Sequence, residues 1–268
     1  MEGKPTLDLD FVLIPDGEFI MGSDPSKDRH AQPDELPAHH LIVSDFYMMK
    51  HPVTNRQYRQ FIDATGHRAP LFWKDGKFPE DKADHPVVGV AYHDTIAFCK
   101  WAAEVTGLPI RLPTEPEWEK AARGPDGRLY PWGDEWKPDA CNSSESKMNG
   151  TVPVGHFSPT GDSPYGITGM GGNVQSWLLS IFGPYPYDPD DGREKLLEDP
   201  ESKELTPEFH ETGTTSLPQS MEAALGKSTI RGGSWRQPKV ESRCAYRSWA
   251  APMHRSDDTG FRCCYEPE

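Results

Sequence analysis

Apolar residues recur along this chain in short runs broken by Pro, Gly and Asp, not in long helical stripes. Phe11-Val12-Leu13-Ile14 and Glu18-Phe19-Ile20-Met21 flank Pro15-Asp16-Gly17, which predicts two strands around a tight turn. Residues 24–38 are polar and Pro-containing, hence a loop, and the run from His40 to Met49 predicts one further strand. Thr54-Asn55-Arg56-Gln57 has the form of a capping box, with Val53 and Tyr58 placed to close a hydrophobic staple, so a helix is predicted from here to near Gly66. A loop rich in Pro, Asp and Lys follows over 68–86. Ile96, Phe98, Cys99, Trp101, Ala102 and Val105 then form a broad apolar stripe, predicting a second helix from about Asp94 to Gly107. Thr114 and Glu117 open a third, short helix within 112–123, with Trp118 facing inward. Beyond residue 124 the pattern supports short strands and turns, with a further helix only around Gln219–Leu225.

The C-terminal stretch carries the densest chemistry. Arg231-Gly232-Gly233-Ser234-Trp235, then arginines at 243, 247 and 255 among Tyr246 and Trp249, then Gly260-Phe261-Arg262, describe strands separated by turns. Arginine and aromatic side chains give large contact energies at low ordering cost, so this stretch predicts a partly basic recognition surface, the alternative being that the same residues brace the core. The chain as a whole carries a formal charge of −14, which argues against nucleic acid or an anionic membrane as its partner. With 27 Pro and 24 Gly, it reads as loop-rich and globular and not as a helical bundle. The first residues lack a basic, apolar leader, and no run approaches a membrane span, so a cytoplasmic protein is expected. Five cysteines without a CxxC pair predict reduced, structural thiols. In a strand, the adjacent Cys263 and Cys264 point to opposite faces, which disfavours a shared metal or a mutual disulfide.

Six ordered blocks resemble the formylglycine-generating enzyme (sulfatase-modifying factor) family. They are Ile14–Phe19 with Met21-Gly22-Ser23, Pro52–Tyr58, Arg111–Glu119, Tyr130-Pro131-Trp132-Gly133, Gly172–Trp177, and Arg231–Trp235 with Gly260-Phe261-Arg262. The resemblance implies an α+β fold over residues 1–268, a single-domain variant of the C-type lectin fold with a small twisted antiparallel sheet, packed helices and little regular structure. It also implies an oxidase that turns a substrate cysteine into formylglycine with copper(I) held by two cysteines just after the Gly-Gly-Ser. Soft thiolates select that metal. Here Gln237 stands at the first of those positions, and the second falls in a shortened segment without cysteine, so copper and formylglycine generation are not expected. Ser234 and Trp177 match residues of the family's substrate groove, and they are the catalytic candidates if the chain is an enzyme.

Two other metals enter through the resemblance. Calcium is implied at Asn142 and Ser143, and at Asn173 with the Val174 carbonyl, although Ser176 replaces a glutamate usual at the second place. Hard calcium wants carboxylate and carbonyl oxygens, and the competing reading is that both asparagines cap turns. Related sulfoxide synthases use iron held by histidines, mostly from a separate helical domain. No histidine pair here has helical ligand spacing, and an iron site built from distant histidines stays open.

Two functional classes follow. The first is a binding module for a protein, peptide or small-molecule ligand, through Trp235, Arg236, Gln237, Tyr246, Ser248, Trp249, His254 and Arg255. The resemblance extends here to the variable proteins of diversity-generating retroelements, which display ligand-binding residues on the same scaffold. The second is a divergent metal-dependent oxidoreductase of the same superfamily. Residues 183–227, rich in Pro, Asp and Glu, are too long for an ordinary connection and predict an acidic loop insertion. Gly226-Lys227-Ser228 and Asp188–Gly192 lack the partners that a phosphate loop or an EF-hand requires.

Overall fold

A computed structural model of the chain describes residues 7–197, 208–209, 215–216 and 226–267. The helix expected at Gln219–Leu225 lies outside these residues, as does much of the 183–227 stretch.

Four N-terminal strands are present: β1 (Phe11–Ile14), β2 (Gly17–Met21), β3 (His39–Val43) and β4 (Phe46–Met49). The turn at Pro15-Asp16-Gly17 does not fold β2 back onto β1. Instead β1 pairs with β4, Ile14 opposite Phe46, and β2 pairs with β3, Gly17 opposite Val43. The expected hairpin is therefore a corner in one arm of a longer ribbon, and the expected single strand 40–49 is the other arm, broken at Ser44-Asp45. The backbone carbonyls freed at the corner are taken by one buried ammonium. Lys120 Nζ donates to Pro15 O (2.6 Å), Gly17 O (3.1 Å) and Val43 O (2.9 Å). A local turn pattern cannot reveal a lysine a hundred residues away that replaces the hairpin's own hydrogen bonds.

The helices follow their capping residues closely. In α1 (Asn55–Thr65), Thr54 N–H donates to Gln57 Oε1 at 2.9 Å, Gln57 N–H returns to Thr54 Oγ1 at 3.2 Å, and Val53 and Tyr58 are both fully buried. The second helix, α2, runs Tyr92–Thr106 and starts ahead of Asp94, because the Asp94 carboxylate reaches back to cap the Ala91 N–H at 2.8 Å. The third, α3 (Glu115–Arg123), starts after Thr114, and every one of its residues is buried, charged ones included.

The remaining strands are β5 (Gln175–Ile181), the short pair β6 (Glu208–Phe209) and β7 (Thr215–Ser216), then β8 (Ser228–Arg231), β9 (Arg247–Ala250), β10 (Thr259–Gly260) and β11 (Cys264–Tyr265). They give a three-stranded sheet β1-β4-β11 and a four-stranded sheet β10-β5-β8-β9, in which β10 runs parallel to β5 and the other pairs are antiparallel. The α+β expectation with modest regular structure holds. One core cluster joins α1 and α2 to the sheets through Tyr58, Phe61, Phe98, Trp101, Trp177 and Phe261, while a second gathers Ile14, Phe46, Met48, Trp118, Ile167 and Leu178. Each such apolar side chain contributes roughly 1.5–3 kcal/mol by leaving water. Cys263 faces the first cluster, with its Sγ 3.6 Å from that of Cys99, and Cys264 faces the second, so the adjacent cysteines do point apart.

Candidate functional site

The arginines of the C-terminal stretch do not form a basic surface. Arg231, Arg243, Arg247 and Arg262 are all buried. Arg231 pairs with Glu119 and donates to the carbonyls of Ala245 and Tyr246. Arg243 pairs with Asp28 and Glu35, and Arg247 makes a bidentate pair with Glu115 at 2.8 and 2.7 Å while also reaching Asp34 O and Gly183 O. Arg262 has backbone partners, the carbonyls of Met49, Lys50 and Thr168. Short strands with many turns leave carbonyls unpaired, and a guanidinium with five donors can satisfy several at once. The sequence shows such charges but not what lies under them.

Arg255, expected on the binding surface, reaches Asp94 Oδ2 at 3.2 Å. Burial pushes the Asp94 carboxyl up, but His67, Arg255 and Arg68 outweigh it and hold the group down at about 2. Arg236 is the exception: it is exposed, forms a bidentate pair with Asp257, and lies 4.4 Å from the Trp235 ring centroid.

Trp235 is delivered by the Gly232-Gly233 turn. Gly233 has φ 65°, and a Cβ there would meet Glu241 O at 2.8 Å, so only glycine lets the two segments approach this closely. The Trp235 indole N–H donates to Asp257 O at 3.2 Å, and its backbone N–H donates to Asn173 O at 3.1 Å. Facing it, Trp73 is held by an indole hydrogen bond of 3.1 Å to Asn55 Oδ1, at the first turn of α1. Between them lies a cleft of about 240 Å³, with Phe72, Trp73, Pro79, Pro86, Val88 and Trp235 as apolar walls. Lys82, Asn149, Thr151 and Asp257 supply its polar edge. Mostly apolar walls with a few convergent polar groups are the usual make-up of a small-ligand site.

A second, open cavity of about 550 Å³ flanks the outer strand β9 and is lined by Asp34, Glu241, Tyr246, Ser248 and Trp249 among others. The predicted binding residues are thus divided. Trp235 walls the first cleft with Arg236 beside it, while Tyr246, Ser248 and Trp249 line the second cavity. Gln237 lines neither, and His254 packs toward Trp177 with ring centroids 6.4 Å apart. Ser234 and Trp177 are interior. The Ser234 hydroxyl donates to the Asp258 carboxylate at 2.7 Å, and the fully buried Trp177 donates its indole N–H to Val90 O at 3.0 Å, so neither opens onto a groove. Phe72, Trp73 and Asp257 were missed. The Leu71-Phe72-Trp73 run inside a polar loop was the available signal, since such bulk in a loop needs something to cover it.

Two of the expected calcium donors, Asn142 and Asn173, are hydrogen-bonded to each other. Asn142 Nδ2 donates to Asn173 Oδ1 (3.1 Å) and Gly150 O (2.9 Å), and Asn142 Oδ1 accepts from the Ser146 hydroxyl (2.7 Å). Asn173 Oδ1 also accepts from Val152 N–H (2.9 Å). The nearby carboxylate, Glu145, accepts from Ser143 and from Lys239 N–H. These bonds brace two turns against each other, which is the competing reading of the two asparagines. Among the described residues, no three His, Cys, Asp or Glu side chains converge in a way that could hold a metal ion. The thiols of Cys141 and Cys244 are both pushed up to about 12 by burial, so they stay protonated at neutral pH.

Comparison with known proteins places these features. The sulfatase-modifying factor enzyme 1-like domain matches residues 2–267. The chain is 31% identical to the hercynine oxygenase of Mycolicibacterium smegmatis over 98% of its own length, and it spans 63% of that relative. It is 30% identical to the formylglycine-generating enzyme of Thermomonospora curvata, covering 96% of this chain and 93% of that one. Among solved structures, PvdO from Pseudomonas aeruginosa superposes with a TM-score of 0.71 at 27% identity, over 96% of this chain and 94% of the other. With the domain match running from one end of the fold to the other, and the ordered motifs falling on the strands and helices just described, this chain belongs to the sulfatase-modifying factor enzyme 1-like domain family.

Proposed function

We propose that this protein is a ligand-binding member of its family, taking a peptide or small molecule with an apolar body into the cleft between Trp73 and Trp235. The observation that carries the reading is the convergence of Phe72 and Trp73, from one loop, with Trp235, from a distant one, on a single cleft with a polar edge. Rigid aromatic walls lose little entropy on binding and offer large contact areas. In this reading the chain does not generate formylglycine. Gln237 stands where the resemblance places a copper thiolate, and the buried cysteines elsewhere are poor substitutes.

Trp235→Ala is expected to weaken cleft ligands at least tenfold while leaving the melting temperature within a few degrees, because the ring is only partly buried. The test is a fragment and peptide screen read by the indole N–H signals of Trp73 and Trp235, repeated on the variant. Hits that leave both signals unmoved, or that bind the variant equally well, would refute the reading.

A further inference from the structure

The cleft between Trp73 and Trp235 carries one charge that the chain itself does not match. Its carboxylate, Asp257, is already held bidentately by Arg236, and Asp84, on the turn after Lys82, is paired with Arg56 at 3.0 Å. Lys82 lines the cleft half-buried and has no ion-pair partner among the described residues. Glu80 and Asp81 precede it on the same turn, but both are exposed and line no part of the cleft. His85 adds no second cation at neutral pH. Burial, and then the Lys82 ammonium, hold its imidazole below the ordinary range, and its Nδ1 is engaged with the Thr151 hydroxyl at 2.9 Å. The cleft is therefore left with the charge of a single ammonium.

A buried amide places that lysine against the aromatic wall. Asn55, 5% exposed at the start of α1, accepts from the Trp73 indole N–H with its Oδ1 and donates to Lys82 O with its Nδ2 at 2.8 Å. One side chain thus fixes the indole and the lysine backbone beside each other before any ligand arrives. Asn149 lies on the same edge, exposed, and its side-chain amide has no hydrogen-bond partner among the described residues. Both groups can donate, and a carboxylate accepts a charge-assisted bond from the one and a neutral bond from the other. An amine would instead meet Lys82 with like charge. The chain's net charge of −14 repels anions at long range, so the preference is exerted only at contact, where indole walls exclude water and strengthen the pairing.

We propose that the cleft takes its ligand as a carboxylate: an aromatic body between Trp73 and Trp235, with its acid group paired to the Lys82 ammonium and bonded by the Asn149 amide. This rests on the reading of the cleft as a ligand site and narrows it to one chemical class, arylalkyl carboxylic acids, among them peptides that end in an aromatic residue. Lys82 is then the residue that selects the acid over its neutral and cationic analogues.

The test compares Nα-acetyl-phenylalanine with its neutral amide, Nα-acetyl-phenylalaninamide, and with the cationic phenylalaninamide, each titrated while the assigned indole N–H signals of Trp73 and Trp235 are followed. The acid should shift both signals saturably and bind about tenfold tighter than the neutral amide, with the cation weakest. Lys82→Gln keeps the backbone carbonyl that Asn55 holds. It should bring the acid down to the level of the amide without changing the amide's own affinity. Equal affinity of acid and amide, a preference for the cation, or an acid-to-amide ratio that survives Lys82→Gln would each overturn the proposal while leaving the cleft a ligand site. Indole signals unmoved by all three probes would overturn it as well, and the cleft reading would then stand or fall on the wider screen.

Discussion

Replacing Glu119 by glutamine is expected to remove roughly 3–5 kcal/mol of stability, enough to unfold much of the population of a marginally stable chain. The carboxylate is completely buried in α3. Its Oε1 accepts from Gly22 N–H at 2.8 Å and from Arg123 at 2.9 Å, and its Oε2 pairs with Arg231. The amide keeps the shape, but it turns an acceptor into a donor facing other donors and leaves two buried guanidiniums short of negative charge. A buried ion pair adds little net stability over an apolar pair, yet removing one member exposes the desolvation penalty of the other. Denaturant titration of the two proteins measures the loss. A change under about 1 kcal/mol would mean that this network is not what joins α3 to the end of β2 at Gly22 and to β8.

Arg243→Met should do comparable damage, and its contrast with Arg236→Ala separates bracing from recognition. Arg243 donates to Asp28 and to both oxygens of Glu35 at 2.7 Å, out of water, and to the part-buried Val240 O at 2.7 Å. Methionine fills part of the volume but leaves two buried carboxylates unpaired, again a loss on the order of 3–5 kcal/mol. Arg236 makes a similar bidentate pair with Asp257, but in contact with solvent, where such pairs are worth about 0–1 kcal/mol. Melting curves should therefore show a large drop for Arg243→Met and almost none for Arg236→Ala. Equal drops would place Arg236 among the braces and remove it from the rim of the cleft.

The elements legible in the sequence were those whose signals are local. The Thr54–Gln57 and Thr114–Glu117 boxes marked two helix starts, and the burial of Trp118 and the opposed faces of Cys263 and Cys264 follow from period alone. What failed depended on distant partners. Pro15-Asp16-Gly17 looks like a hairpin turn until Lys120 takes its carbonyls. Arg243 and Arg247 look like surface charges until Glu35 and Glu115 are found beneath them. Trp235 and Trp249 both stand out in the sequence, but their layout does not: they wall different cavities, because one sits on the turn after β8 and the other on β9. Asp34, Trp73 and Asp257 meet the C-terminal residues only in three dimensions.

In the proposed role the fold keeps a recognition cleft without the thiolate pair that would make it an oxidase. The most direct measurement is to incubate the purified chain, loaded with copper(I) and supplied with oxygen, with a cysteine-containing sulfatase peptide, and to look for the aldehyde by mass spectrometry beside an active formylglycine-generating enzyme. Unmodified peptide is expected with this chain and aldehyde with the control. Catalytic conversion of the cysteine by this chain would contradict it.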